Sequence, residues 1–182
     1  MDIRVVDSAS GQEVQTGEPG DLGPVWHHGD FVKIPDSATG GLVMLGRSDG
    51  VLKPAGVRFG SAEIYNVLAR FFSSQVEDAV CVGRYRATDT DEAVCLFLVM
   101  SPGMDLNDDL KCRIRTKIRT ELSPRHVPAV VEECKGGIPK TSNGKKIEVA
   151  VKQILSGIDV QTNASVANPE SLDWFRKWAE IH

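Results

Sequence analysis

The first residue in this chain that invites chemistry is Lys145, which ends the run Pro139-Lys140-Thr141-Ser142-Asn143-Gly144-Lys145. Proline disfavours helix at the residue before it, and Asn-Gly is the strongest turn dipeptide in the sequence. The run therefore reads as a mobile loop that opens a helical stretch, with Lys145 at its tip. A lysine placed this way can deliver one positive charge to a phosphate or carboxylate held by another part of the protein. Taken singly, it is also what an ordinary solvated loop lysine looks like. Spacing excludes a P-loop, because six residues rather than four separate Gly137 from Gly144, and Lys146 rather than Ser or Thr follows Lys145.

Three further runs carry polar groups suited to a ligand. Asp30 ends Trp26-His27-His28-Gly29-Asp30, Arg47 and Asp49 lie in Gly46-Arg47-Ser48-Asp49-Gly50, and Arg58 lies between Gly56 and Gly60. Each has a plain reading. Aspartate before a strand is a common turn former. An Arg-x-Asp pair in a turn is usually a surface ion pair worth at most about 1 kcal/mol. Two close glycines allow a backbone to approach another surface. His27 and His28 have no partner at metal-ligand spacing and receive no role.

Taken in chain order, as three motifs at 26–30, 46–64 and 139–145, these runs together resemble the carboxy-terminal signature of the adenylate-forming acyl-CoA ligases, the superfamily that includes luciferases and the adenylation domains of peptide synthetases. The residues at 56–65 and 143–152 are most similar to the branch that activates acetoacetate. Acetyl-CoA and medium-chain acyl-CoA synthetases are the alternative. The resemblance implies that Lys145 is catalytic, bridging the attacking carboxylate and the α-phosphate as an acid is joined to AMP. It implies that Asp30 accepts the ribose hydroxyls, that Arg47 contacts ribose or phosphate, and that Asp49 is a hinge. Gly56, Arg58 and Gly60 would line the tunnel for the pantetheine arm of coenzyme A. ATP and coenzyme A are thus the implied co-substrates, with Mg2+ expected only as the companion of ATP and no metal ligand assigned in the chain. Where the family usually has Ser before the Gly-Lys pair, Asn143 stands here and keeps a turn former.

Composition removes other classes. A net charge of -4 and a pI near 5.6 argue against a nucleic-acid partner. No apolar run approaches the roughly 20 residues that span a bilayer, and the amino terminus lacks the basic and apolar regions of a secretory leader. A cytoplasmic, reducing location is therefore expected. The cysteines at 81, 95, 112 and 134 form no CxxC pair and read as reduced core or half-buried thiols.

Elements must position these groups. Residues 31–34 and 42–45 read as a hairpin, whereas Gly17, Pro19 and Gly20 ahead of it read as turns. Ser61 is expected to cap a helix running to about Phe72, with Glu63 a favourable charge near its start. Residues 76–83 and 93–100 are the strongest strands, and the second is apolar throughout, as in a strand buried on both faces. Leu106, Leu110, Ile114, Ile118 and Leu122 recur every four residues and give a helix closing on the sheet. A third strand at 129–133, a helix over 146–155 stopped by Gly157, and a short amphipathic helix from Pro169 complete the reading.

The expected fold is α+β, a small sheet of three or more strands flanked by helices, preceded by a hairpin remnant of a larger domain. The expected division is a remnant at 1–46, a lid domain at 47–156, and a linker with tail helix at 157–182. The family's phosphate-binding loop and acyl pocket are absent from these residues. The expected partner of the lid is consequently the amino-terminal domain that carries them, and the chain alone is expected to be inactive. A non-catalytic interaction module or a weak coenzyme A- or nucleotide-binding fragment remains the other reading.

Overall fold

The structure is a computed structural model, described here for residues 4–6, 12–15, 19–23, 30–34, 41, 43–47, 50–160 and 166–182. Its centre is a three-stranded sheet of β7 (Val76–Arg84), β8 (Ala93–Met100) and β9 (Val130–Glu133) in the order β7-β8-β9. β8 pairs antiparallel with β7 and parallel with β9. Being central, β8 is covered on both faces, and its apolar residues divide by alternation. Val94, Leu96, Leu98 and Met100 join one buried cluster, whereas Cys95 and Phe97 join the other.

Helices fill both sides. α1 (Ser61–Phe71) and α2 (Asp108–Glu121) cover the first face with Ile64, Val67 and Leu68 and with Leu110, Ile114 and Ile118. α3 (Glu148–Leu155) and α4 (Pro169–Ile181) cover the second, where Phe97 meets Trp174, Phe175 and Trp178 edge-on with centroids 5.9, 5.0 and 5.0 Å away. Burying side chains of this kind contributes about 1.5–3 kcal/mol each, so the two faces hold most of the fold's stability.

Ahead of this body, β1 (Arg4–Val6), β2 (Pro19–Gly23), β3 (Asp30–Lys33) and β4 (Val43–Arg47) form an antiparallel sheet in chain order. The expected hairpin is its β3–β4 half. Pro19 and Gly20, expected in turns, instead open the strand β2. β2 pairs with neighbours on both sides, and ladder bonds use the peptide groups that its glycines retain, so pairing overrides weak strand propensity. Pro19 occupies the first position, where a missing N–H is tolerated. A two-stranded ribbon of β5 (Val51–Leu52) and β6 (Phe59–Gly60) links this sheet to α1.

Ser61 is not the helix cap. Gly60 holds that position with extended backbone, and its N–H donates to Glu63 Oε1 at 3.3 Å. Glu63 thereby serves the helix start as expected, while the Ser61 hydroxyl is used elsewhere. α3 likewise begins at Glu148 rather than 146, because the two preceding residues belong to a hairpin. Gly157 ends it in the left-handed region, at φ +81. Among the described residues no helix is long and apolar enough to cross a membrane.

Candidate active site

Lys145 does not sit on a loose loop tip. Lys140 and Lys146 face each other in an antiparallel bridge, Thr141 N–H donates to the Lys145 carbonyl at 2.8 Å, and Gly144 N–H donates to the Thr141 carbonyl at 2.8 Å. Gly144 adopts φ +77, so the run is a tight hairpin closed by a left-handed glycine. The Thr141 hydroxyl also accepts the Lys145 N–H at 3.2 Å. Side chains alternate along an extended strand. Lys146 is half-buried against the body while Lys145 is exposed, and Lys145 Nζ has no ion-pair or hydrogen-bond partner among the described residues.

The stem is tied down on two sides. Towards the sheet, Asp78 of β7 receives Lys140 Nζ at 2.6 Å and Lys146 Nζ at 2.8 Å. Lys146 also donates to the Ala79 carbonyl at 2.7 Å and lies 4.3 Å from the centroid of the Tyr65 ring. Partial burial alone would raise the Asp78 pKa, but the hydrogen bonds from the two lysines outweigh it and hold the carboxyl below its usual range. Towards the tail, Asn168 accepts the Lys140 N–H and donates to the Ile138 carbonyl, both at 2.9 Å, and Ala167 N–H donates to the Lys140 carbonyl.

The loop of Gly56, Arg58 and Gly60 is held separately. Ala55 has φ +49 and Gly56 φ +78, and the strained turn is anchored by acceptors from the loop between β7 and β8. Ala55 N–H donates to Asp91 at 2.6 Å, and Lys53 N–H donates to Glu92 at 2.7 Å. Gly60 lies in β6, and Arg58 is half-buried.

A polar relay joins this loop to the hairpin. Ser61, next to Gly60, donates to both Glu148 carboxylate oxygens at 3.1 and 3.2 Å. Tyr65 donates to Glu148 at 2.5 Å and accepts the Cys81 N–H at 2.9 Å. Burial, reinforced by the Glu148 charge, pushes the Tyr65 hydroxyl well above its ordinary pKa. The lysine hairpin and the glycine loop therefore ride on one rigid body.

Asp30 and Arg47 are direct partners in the β3–β4 register, at a ladder irregularity between Phe31 and Val32. β4 runs against β6 and α1, the elements that follow the glycine loop. Asp49 and residues 26–29 lie outside the described residues. Asp78, Lys146, Tyr65 and Glu148 were missed by motif reading. No signal in the run itself pointed to them, because the half-burial of Lys146, which calls for a carboxylate partner, is set by the fold.

The described residues at 67–145 match the model of the AMP-binding enzyme C-terminal domain, a stretch ending on Lys145 itself. The malonamoyl-CoA synthetase of Penicillium aethiopicum is 54% identical over 157 residues, which cover 85% of this chain and 21% of that protein. The acetoacetyl-CoA synthetase of Gallus gallus is 52% identical, with 86% and 23% covered. Acetoacetyl-CoA synthetase from Streptomyces lividans superposes with a TM-score of 0.83 at 31% identity, covering 99% of this chain and 31% of that one. The chain belongs to the adenylate-forming enzymes, through their carboxy-terminal domain. It spans 21–23% of the length of these curated relatives.

Proposed function

We propose that this chain is the carboxy-terminal part of an ATP-dependent acid–CoA ligase, with acetoacetate as the acid. Carboxylates are poor acyl donors, so the acid is first joined to AMP with release of pyrophosphate, and the acyl group then passes to the thiol of coenzyme A. The reading rests on Lys145, an exposed cation with no partner among the described residues, held out from the body on an anchored hairpin. In the first step its ammonium stabilises charge between the attacking carboxylate and the α-phosphate. Asp30 and Arg47 hold the nucleotide ribose and phosphate. Asp49 is the hinge about which the domain, residues 47–156, turns to withdraw Lys145 and bring Gly56, Arg58 and Gly60 to the pantetheine arm. Because hairpin and loop share one body, a rigid rotation suffices for the exchange.

Among the described residues no three His, Cys, Asp or Glu side chains converge to hold a metal ion. In this reading Mg2+ enters with the triphosphate, and no ligand for it is assigned in this chain. ATP and coenzyme A are the co-substrates, the amino-terminal part of the longer enzyme is the lid's partner, and the compartment is the cytoplasm. The 182 residues alone are not expected to form adenylate. One second reading has a specific observation behind it. Malonamate, the acid in the name of the fungal relative, has the shape of acetoacetate with an amino group for the methyl.

The decisive variant is Lys145→Ala in the complete ligase. It should abolish acyl-adenylate formation, followed as ATP–pyrophosphate exchange, and spare thioester formation from preformed acyl-adenylate. Equal loss of both half-reactions would overturn the role of Lys145. Acetoacetate, malonamate, acetate and a medium-chain acid, assayed side by side, decide the substrate.

A further inference from the structure

Lys145 reaches outward with no partner of its own among the described residues, so its backbone alone fixes where the ammonium starts. What fixes that backbone is a carboxylate on the central sheet. We propose that Asp78 is a positioning residue for the adenylation step, aiming Lys145 by tethering the two lysines that flank its hairpin. This rests on the reading of Lys145 given above and adds a residue that the family motifs do not contain.

Three observations carry it. Asp78 follows a register irregularity in β7, where Val76 pairs with Met100 and Asp78 with Val99, so Glu77 is the extra residue. Bulges of this kind re-aim a side chain. The Asp78 carboxylate also accepts the adjacent Ala79 N–H at 2.8 Å, which locks its direction. Its two oxygens are then divided, Oδ2 to Lys140 and Oδ1 to Lys146, one on each strand of the stem. Lys140 and Lys146 are bridge partners, so both must point to the sheet side for this double contact, and alternation then turns Lys145 to the opposite side.

Geometry explains why a carboxylate is used. A single tie would let the hairpin pivot, whereas one tie per strand fixes its tilt. The Asp78 side chain is 18% exposed, and those of Lys140 and Lys146 are 41% and 29% exposed. The ion pairs are therefore partly shielded from water, and losing the shared acceptor leaves two ammonium groups side by side. The stem would then splay, and Lys145, next to Lys146 in the chain, would lose its aim. Displacement by about 1 Å far from the reacting atoms can cost on the order of a hundredfold in rate.

The test uses the complete ligase with three variants, Asp78→Asn, Asp78→Glu and Lys145→Ala, assayed in both half-reactions. Asp78→Asn should lower kcat for adenylation by about tenfold or more, with KM for ATP and acid and the thioester step within about twofold of the parent. Asp78→Glu, which restores the charge, should recover most of the loss. The proposal is overturned if Lys145→Ala abolishes adenylation while Asp78→Asn leaves it unchanged, or if Asp78→Asn lowers both half-reactions by the same factor. Adenylation that survives Lys145→Ala would remove the reading of Lys145 instead, and this role with it. Should Asp78→Asn fail to fold, Lys146→Gln cuts the same tie from the hairpin side while leaving Lys140 on the carboxylate, and the same split between half-reactions is required of it.

Discussion

At the scale of single residues, two titrating groups set the pH limits of the hairpin's support. Asp78 is held below its ordinary value of 3.8 despite the burial that opposes this, because Lys140 and Lys146 bind its charged form. A carboxyl with a lowered folded pKa stabilises the protein above its unfolded value, and that contribution drains away as pH falls through the folded value. Acid unfolding of the parent chain should therefore steepen below pH 3.8, and Asp78→Asn should flatten that limb in a thermal melt series. Tyr65 titrates the other way. Its hydroxyl is raised above 10.0 by burial and by Glu148, so the unfolded chain releases this proton first and stability falls as pH climbs past 10.0. Tyr65→Phe strips Glu148 of a donor and Cys81 N–H of its acceptor. It should cost about 1–3 kcal/mol near neutral pH. In urea titrations that penalty should shrink towards alkaline pH, and a constant penalty would assign the effect to packing rather than to the proton.

Elements show how local chemistry and tertiary placement share the work. The β8 run, the four-residue period of α2 and the Asn-Gly turn were legible because each is decided by near neighbours, through alternation, helical facing and a left-handed glycine. Less legible was anything set by a distant partner. Nothing in the run around Lys145 announces that its stem is paired to β7, and nothing around Pro54 announces Asp91 and Glu92, 36 and 39 residues on. The β2 strand was hidden for the same reason, its glycines saying turn while its neighbours impose a ladder. Gly83 is the sharpest such case. A Cβ there would sit 2.1 Å from Glu92 Oε1 and 2.2 Å from Cδ, so the glycine exists to let the Glu92 side chain lie across β7. That carboxylate receives Lys53 N–H and pairs with Lys152 at 3.5 Å. Gly83→Ala should thus evict Glu92 and loosen residues 53–56. In the complete ligase the expected result is a thioester step slowed more than adenylation, with wild-type-like behaviour in both steps counting against any role for this anchor.

For the molecule as a whole, the tail is packed into the body that carries the Lys145 hairpin. α4 places Leu172, Phe175 and Trp178 in the second core face, and the segment leading into it is threaded along the outer edge of the Lys145 hairpin through the Thr141–Val166 bridge and Asn168. The hairpin is consequently gripped by β7 on one side and by the tail on the other, and whatever undocks α4 removes one of the two grips. Asn168→Ala separates these effects, because it removes the grip without touching the core. Its two hydrogen bonds are worth about 0.5–1.5 kcal/mol each, a small part of the roughly 5–15 kcal/mol that holds a domain. The melt should therefore remain cooperative with a modest drop in Tm. Hydrogen exchange should rise strongly at the Lys140 and Ala167 amides and stay slow at Cys134, whose N–H donates to the Leu98 carbonyl at 2.7 Å within the sheet. Phe97→Ala is the converse, costing about 3–5 kcal/mol through the core and raising exchange at all three amides together. Uniform exchange in Asn168→Ala as well would mean that tail and hairpin open only with the whole domain. Selective opening would establish the tail edge as a separate lever on Lys145.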